Sequence, residues 1–120
     1  VLRPSLTRQG IKHYRDLETW PDGRPIRVAG LVTTRQRPGT AAGVVFITLE
    51  DEFWHMNLVV FAKIFEAQRN LARDADFLVV QGKVQREKGV TNVIVERFEP
   101  LRKEAPGSDL PKGRYDRFYW

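Results

Sequence analysis

From Ile26 onward, apolar residues recur at every second position in one run after another, the spacing of half-buried strands rather than helices. The first run, "IRVAGLVTTRQR" at 26–37, places Val28, Gly30 and Val32 on one side and Arg27, Leu31, Arg35 and Arg37 on the other. A glycine inside a strand marks a bend or bulge, which a small closed barrel requires. After the loop "PGTAAG" (38–43), "VVFITLED" at 44–51 alternates Val45, Ile47 and Leu49 against Val44, Phe46 and Thr48. "HMNLVVF" at 55–61 is a third strand. The spacing then changes once. In "AKIFEAQRNLA" (62–72), Ile64, Phe65, Gln68, Leu71 and Ala72 recur at helical intervals, which predicts one amphipathic helix. Two further strands, "ADFLVVQGKVQR" (75–86) and "VTNVIVERFE" (90–99), flank "EKG" (87–89), a hairpin turn with its glycine.

The predicted order is β-β-β-α-β-β. This is an all-β chain whose five strands form a Greek-key barrel of the OB type, with a helix between strands 3 and 4. Closure removes the exposed edges that five short strands would otherwise present. An SH3-like barrel is the structural rival, but it would not set a long helix after strand three. Ahead of the barrel, "SLTRQGIKHYRDLETW" brings Tyr14, Leu17 and Trp20 to one side with Gly10 interrupting, so one or two short helical pieces are expected. "PDGRP" (21–25) is turn chemistry. The organisation read from sequence is a helical and turn segment at 1–25, the barrel at 26–100, and a Pro-, Gly- and charge-rich linker or docking tail at 101–120.

A chain of 120 residues, 42% hydrophobic, supports one modest core. It has no cysteine, which excludes disulfides and thiolate zinc sites and suits a reducing cytoplasm. No apolar run approaches the ~20 residues of a membrane span, and no secretory layout opens the chain. Net charge is +5, which suits an anionic partner. The surplus is uneven: 1–25 carries five basic and three acidic residues, 26–99 ten and nine, and 100–120 five and three. The barrel is nearly neutral, so placement decides more than the sum.

Arg35 and Arg37 stand where the first strand enters its loop, and Arg86 and Lys88 at the turn between strands 4 and 5. These cations are expected to gather on two neighbouring loops. Glu50, Asp51 and Glu52 fall at the other end of strand 2, roughly 23 Å from Val44 at ~3.3 Å per residue. That exceeds a screening length of about 8–10 Å, so the acids should not cancel the arginines. Phe46 faces outward if Val45, Ile47 and Leu49 face the core. It is then either a stacking platform for bases, with Arg and Lys following the phosphates, or a ring covered by the N-terminal segment or another domain. Phe53, Trp54 and His55 sit at a turn and are read as partner contacts or packing. "LEDE" is not read as a metal site, because alternate acids of a strand point to opposite faces. His13 and His55 are too few and too separated for zinc or a catalytic triad. No cofactor, metal or catalytic residue is assigned.

The strings "RVAGLV", "RQRPGTAAGVVFITLEDE" and "FLVVQGKVQRE", with the preceding "WPDG", closely resemble the OB domain near the C-terminus of bacterial error-prone DNA polymerases. These enzymes are related to the alpha subunit of the replicative DNA polymerase III. The likeness runs from about residue 10 to 101. It implies a cytoplasmic bacterial module that contacts single-stranded template DNA, with Arg35, Arg37, Phe46, Lys63, Arg86 and Lys88 as the contact positions. The "FWH" turn (53–55) and the aromatic tail "RFYW" (117–120) point to partners in other domains of the parent polymerase or in accessory repair proteins, since Tyr, Trp and Arg dominate interface hot spots. Catalysis would belong to metal-binding carboxylates of another domain, so the isolated domain is expected not to be an enzyme. The beginning at Val1 is read as favouring an excised domain. Family members continue "LEDETG" where this chain has "LEDEFWH", so the turn before strand 3 must differ, since Trp54 disfavours positive φ. A free-standing OB protein, a tRNA-binding module and a protein-docking module are the competing functional readings.

Overall fold

The computed structural model describes residues 3–37 and 43–100. Two short helices, α1 (Arg3–Arg8) and α2 (Tyr14–Thr19), lead into β1 (Pro25–Gln36). Then come β2 (Val45–Glu50), β3 (His55–Val60), α3 (Ala62–Ala67), α4 (Arg69–Asp74), β4 (Phe77–Glu87) and β5 (Val90–Glu99). The strands close into a barrel in the order β1-β2-β3-β5-β4, with β3 and β5 parallel and the other pairs antiparallel. This is the predicted five-stranded OB architecture.

Period-two alternation builds the interior. Val45, Ile47 and Leu49 of β2, Met56, Leu58 and Val60 of β3, and Val93 and Val95 of β5 are all buried in one cluster. Leu78, Val80 and Val84 of β4 join them, and Leu17 of α2 and Phe65 of α3 cover the barrel's openings. At two places backbones approach so closely that only glycine fits. A Cβ on Gly30 would stand 2.7 Å from the Glu50 carbonyl oxygen, and one on Gly82 would stand 2.4 Å from that of Ile94. Outside the barrel, Ala29 and Val79 pair across β1 and β4 and are nonetheless buried. The N-terminal segment, joined to β1 by the Lys12–Val28 bridge, brings the buried Leu6 and Ile11 to this side.

Two local expectations fail. The register of β1 against β2 shifts between Val32 and Thr34, so Thr33 is an extra residue. Before the bulge, Val32 lies opposite the buried Leu49; after it, Arg35 lies opposite the buried Ile47. Arg35 therefore leaves the face it was expected to share with Leu31 and turns toward the end of the barrel. The single helix over 62–72 is likewise two helices, broken at Gln68, whose backbone sits at φ −128°, ψ 42°. The Gln68 side chain supplies the cause. Its amide donates to the Phe98 carbonyl and accepts from the Phe98 N–H, both at 2.6 Å, filling backbone positions on β5.

The turn between β2 and β3 works without glycine. Asp51 Oδ1 accepts from the Phe53 and Trp54 N–H groups at 2.8 and 3.1 Å, and Oδ2 accepts from the Tyr14 N–H at 2.7 Å. Among the described residues only Lys88 has positive φ without being glycine. The aspartate thus folds the turn by side-chain acceptance rather than by a left-handed residue.

Candidate nucleic-acid interface

The strand registers lay the outward side chains of the barrel in rows. Gln36 pairs with Phe46, Phe46 with Val59, Val59 with Ile94, and Ile94 with Lys83. The adjacent row reads Thr34, Thr48, Asn57, Asn92 and Gln85. One row has the buried Val59 and the half-buried Ile94 at its centre, and the other only hydroxyls and carboxamides, groups that can both donate and accept. Phe46 is 43% exposed, so the N-terminal segment does not cover it. Phe61 continues the outward alternation of Asn57 and Val59 and is 49% exposed. Two rings therefore stand out at the β1–β2 end of this face. The sequence reading missed Phe61 as a surface ring because it closes an apolar run. Its parity with Asn57 was the available signal.

The cations fall into two groups. Arg35 and Arg86 are both tied to main-chain carbonyls. Arg35 Nε donates to the Ala72 carbonyl at 2.7 Å and its Nη2 to that of Ala75, at the C-terminal end of α4. Burial pulls the Arg35 pKa below its ordinary value, against the opposing pull of Asp74 and Asp76. Arg86 Nη2 donates to the carbonyls of Leu17 (2.6 Å) and Glu18 (3.0 Å), its Nη1 to that of Trp20, and its Nε to Thr91 Oγ1 (3.3 Å). Each guanidinium donates to carbonyls at the C-terminal end of a helix, and the Leu17 carbonyl also accepts from the Trp20 N–H at 3.2 Å.

The other three remain outward. Arg37 stacks over Phe65, 4.7 Å from the ring centroid, and lies 4.0 Å from Glu66 with about half of its side chain exposed. Lys63, in the first turn of α3, and Lys88, at the β4–β5 turn, are exposed and make no ion pair among the described residues. Lys88 adopts φ +51° and Gly89 φ +79°, the paired left-handed conformation of a two-residue hairpin.

The described ends of the β1–β2 loop and the β4–β5 turn are not neighbours. Asn92 pairs with Asn57, and Asn57 with Thr48, so the β4–β5 turn lies level with the Glu50–His55 end of β2 and β3. Gln36 and Phe46 mark the opposite end. The strand ends that carry Arg37 and Lys88 therefore bracket the face rather than adjoin each other, and the acidic end lies level with the Lys88 turn. Its acids have internal partners. Glu50 is 3.3 Å from His55 Nδ1, Asp51 holds the turn, and Glu52 accepts from Arg3 at 2.7 and 2.9 Å. The Arg3 hydrogen bond, foremost, holds the Glu52 pKa below its ordinary value.

The three turn residues diverge. Phe53 is half-buried, with His13 at 4.5 Å between centroids and the Arg15 guanidinium 4.4 Å from its centroid. Trp54 is 59% exposed and meets His55 edge-on at 5.0 Å. Among the described residues no helix is long and apolar enough to cross a membrane. The expected tail at 101–120 and most of the "PGTAAG" loop lie outside them.

A closed five-stranded barrel with exposed rings beside a row of carboxamides across β3, β5 and β4 defines a class. Residues 26–101 match the family described as OB-fold nucleic acid binding domain, of the tRNA anti-codon type, and the chain belongs to that family. Its relatives include the protein named error-prone DNA polymerase in Rhodopirellula baltica, 46% identical over 110 residues, covering 92% of this chain and 10% of the relative. The protein of the same name in Caulobacter vibrioides is 45% identical over 118 residues, covering 93% and 11%. The chain thus spans about a tenth of the length of these relatives. Among solved structures, asparaginyl-tRNA synthetase from Pyrococcus horikoshii aligns at TM-score 0.60 and 26% identity, covering 74% of this chain and 22% of that one. A small single-stranded DNA binding protein from Mycoplasma pneumoniae aligns at TM-score 0.55 over 68% and 97%; at 7% identity this is likeness of fold alone.

Proposed function

We propose that this chain is the single-stranded DNA-binding OB module of a bacterial error-prone DNA polymerase acting in translesion or repair synthesis in the cytoplasm. In this reading it positions template DNA and carries no chemistry of its own. The observation that carries it is the pair of exposed rings, Phe46 and Phe61, beside an uncharged polar row and bracketed by outward cations. Bases stacking on such rings gain about 1–3 kcal/mol each without regard to sequence. Carboxamides of Asn57, Asn92 and Gln85 can meet donors or acceptors on any base, which suits a template of arbitrary sequence. Arg37, Lys63 and Lys88 are the phosphate contacts in this reading, while Arg35 and Arg86 act through the helix ends they tie to the barrel.

Titration of a fluorescent oligothymidylate at rising salt tests this. Three phosphate contacts on a single strand give a slope of log K against log salt of about −2. Absence of binding, or binding indifferent to salt, would refute the proposal.

A second reading is favoured by Trp54. An indole this exposed, on a turn pinned by three hydrogen bonds to Asp51, has the character of an interface anchor. We assign Trp54, with Phe53 and His55, to docking on another domain of the parent polymerase or on an accessory protein. Trp54→Ala should abolish capture of that partner and leave oligonucleotide affinity unchanged; unaltered capture defeats the assignment.

A further inference from the structure

We infer that Arg86 is a positioning residue that makes the N-terminal segment and the β4–β5 turn one mechanical unit, rather than a phosphate contact in its own right. The inference rests on the DNA-binding reading for its functional consequence, but the brace itself is a property of the free chain. A guanidinium carries five N–H donors. Arg86 places hydrogen bonds on four acceptors: the carbonyls of Leu17, Glu18 and Trp20, and the hydroxyl of Thr91. No fork remains to grip a phosphate in the bidentate way that distinguishes arginine.

The rest of the contact is built to the same end. Asp22 Oδ1 accepts from the Arg86 backbone N–H at 2.7 Å. The Gly23 N–H donates to the Val84 carbonyl at 2.7 Å, and the Val84 N–H to the Arg24 carbonyl at 3.1 Å. Beyond Lys83, which pairs with Pro25, β4 has no further β1 residue beside it, and residues 22–24 take that place. The turn bearing Lys88 therefore projects from a hairpin whose outer edge is held by the segment 17–24. The Leu17 and Glu18 carbonyls of six-residue α2, and that of its C-cap Trp20, in turn accept from a residue 66 to 69 positions away. Displacing either partner exposes unpaired groups on both.

Hydrogen exchange of the chain and oligothymidylate titration at several salt concentrations, on Arg86→Ala, Arg86→Lys and Lys88→Ala, separate the roles. With Arg86→Ala we expect faster exchange at residues 84–91 and 17–24 together, and affinity several-fold weaker with the salt slope unchanged. Lysine, a point charge that cannot fork onto three carbonyls, should not rescue either readout. Lys88→Ala should instead lower the slope by about 0.7 and leave exchange as it was. Rescue of both readouts by lysine, a slope reduced in Arg86→Ala, or exchange unchanged at 84–91 would each overturn the inference. If Arg86→Ala does not fold, Asp22→Ala, which removes only the acceptor of the Arg86 N–H, must still raise exchange in both segments. If the unmodified chain binds no oligonucleotide, the DNA reading fails alone, and exchange still decides the brace.

Discussion

Arg35 and Arg86 flank the same face from opposite ends, and each donates to the C-terminal carbonyls of a short helix. Their settings differ. Arg35 reaches α4, an element of the barrel's own crossover, and its acceptors belong to Ala72 and Ala75, both buried. Arg86 reaches α2, outside the barrel, and two of its three carbonyl acceptors belong to the exposed Glu18 and the half-buried Trp20. Water can replace Arg86 more readily than it can replace Arg35. One end of the face is therefore tied to the barrel's own crossover, and the other to the N-terminal segment, of which Leu17 alone among the three acceptors lies in the core.

The largest expected effect is on that contrast. Arg35→Ala strands two buried carbonyls at about 1–3 kcal/mol each, so a total loss of about 2–6 kcal/mol is expected, with a thermal midpoint lower by roughly 10–25 °C. Arg86→Ala should cost at least about 1 kcal/mol less. Equal losses in urea unfolding would erase the distinction between the two ends.

Next comes the face itself. Phe46→Ala should weaken oligonucleotide binding by about 1–3 kcal/mol, roughly 5- to 150-fold. An exposed ring contributes little to the core, so unfolding should move by no more than ~0.5 kcal/mol. A large fall in stability with unchanged binding would make the ring a packing residue.

At the β4–β5 turn, Lys88 holds positive φ without a glycine's freedom. Lys88→Asn should stabilise the chain by about 0.5–1 kcal/mol, because asparagine tolerates that conformation. The same change should flatten the salt dependence of binding by about 0.7. A gain in both stability and affinity would remove Lys88 from the contact set.

The smallest effect concerns the anchoring of α1. Glu52, held below its ordinary pKa of 4.5 by Arg3, contributes stability that is present above that value and is lost as pH falls through the lowered one. The pair is partly exposed, so Glu52→Gln should cost only about 0.5 kcal/mol at pH 7. The difference between the two proteins should vanish in acid. A difference that persists unchanged at pH 2–3 would show that the carboxylate's charge is not what holds α1.

Much of the fold was legible because strand alternation and turn chemistry are local. Alternation delimits Val90–Glu99 as a strand with the bounds it has, and "EKG" marks the hairpin, whose two turn residues are Lys88 and Gly89. The failures have a common origin. The bulge at Thr33, which reverses Arg35, comes from matching two registers across a closing barrel. The break at Gln68 comes from the backbone of Phe98, 30 residues away. Phe61 was legible by parity, yet a ring ending an apolar run reads as core until its exposure is seen.

Alternation of apolar residues and the single helical interruption determined the barrel by themselves, because burial of one face of each strand leaves few other closures for five short strands. Sequence also located the outward Phe46. What the tertiary structure alone decided was which arginines remain available to a ligand. A guanidinium on a long side chain goes to whatever carbonyls are left unpaired within its reach. Those carbonyls are brought there by chain segments tens of residues distant, which no local pattern records.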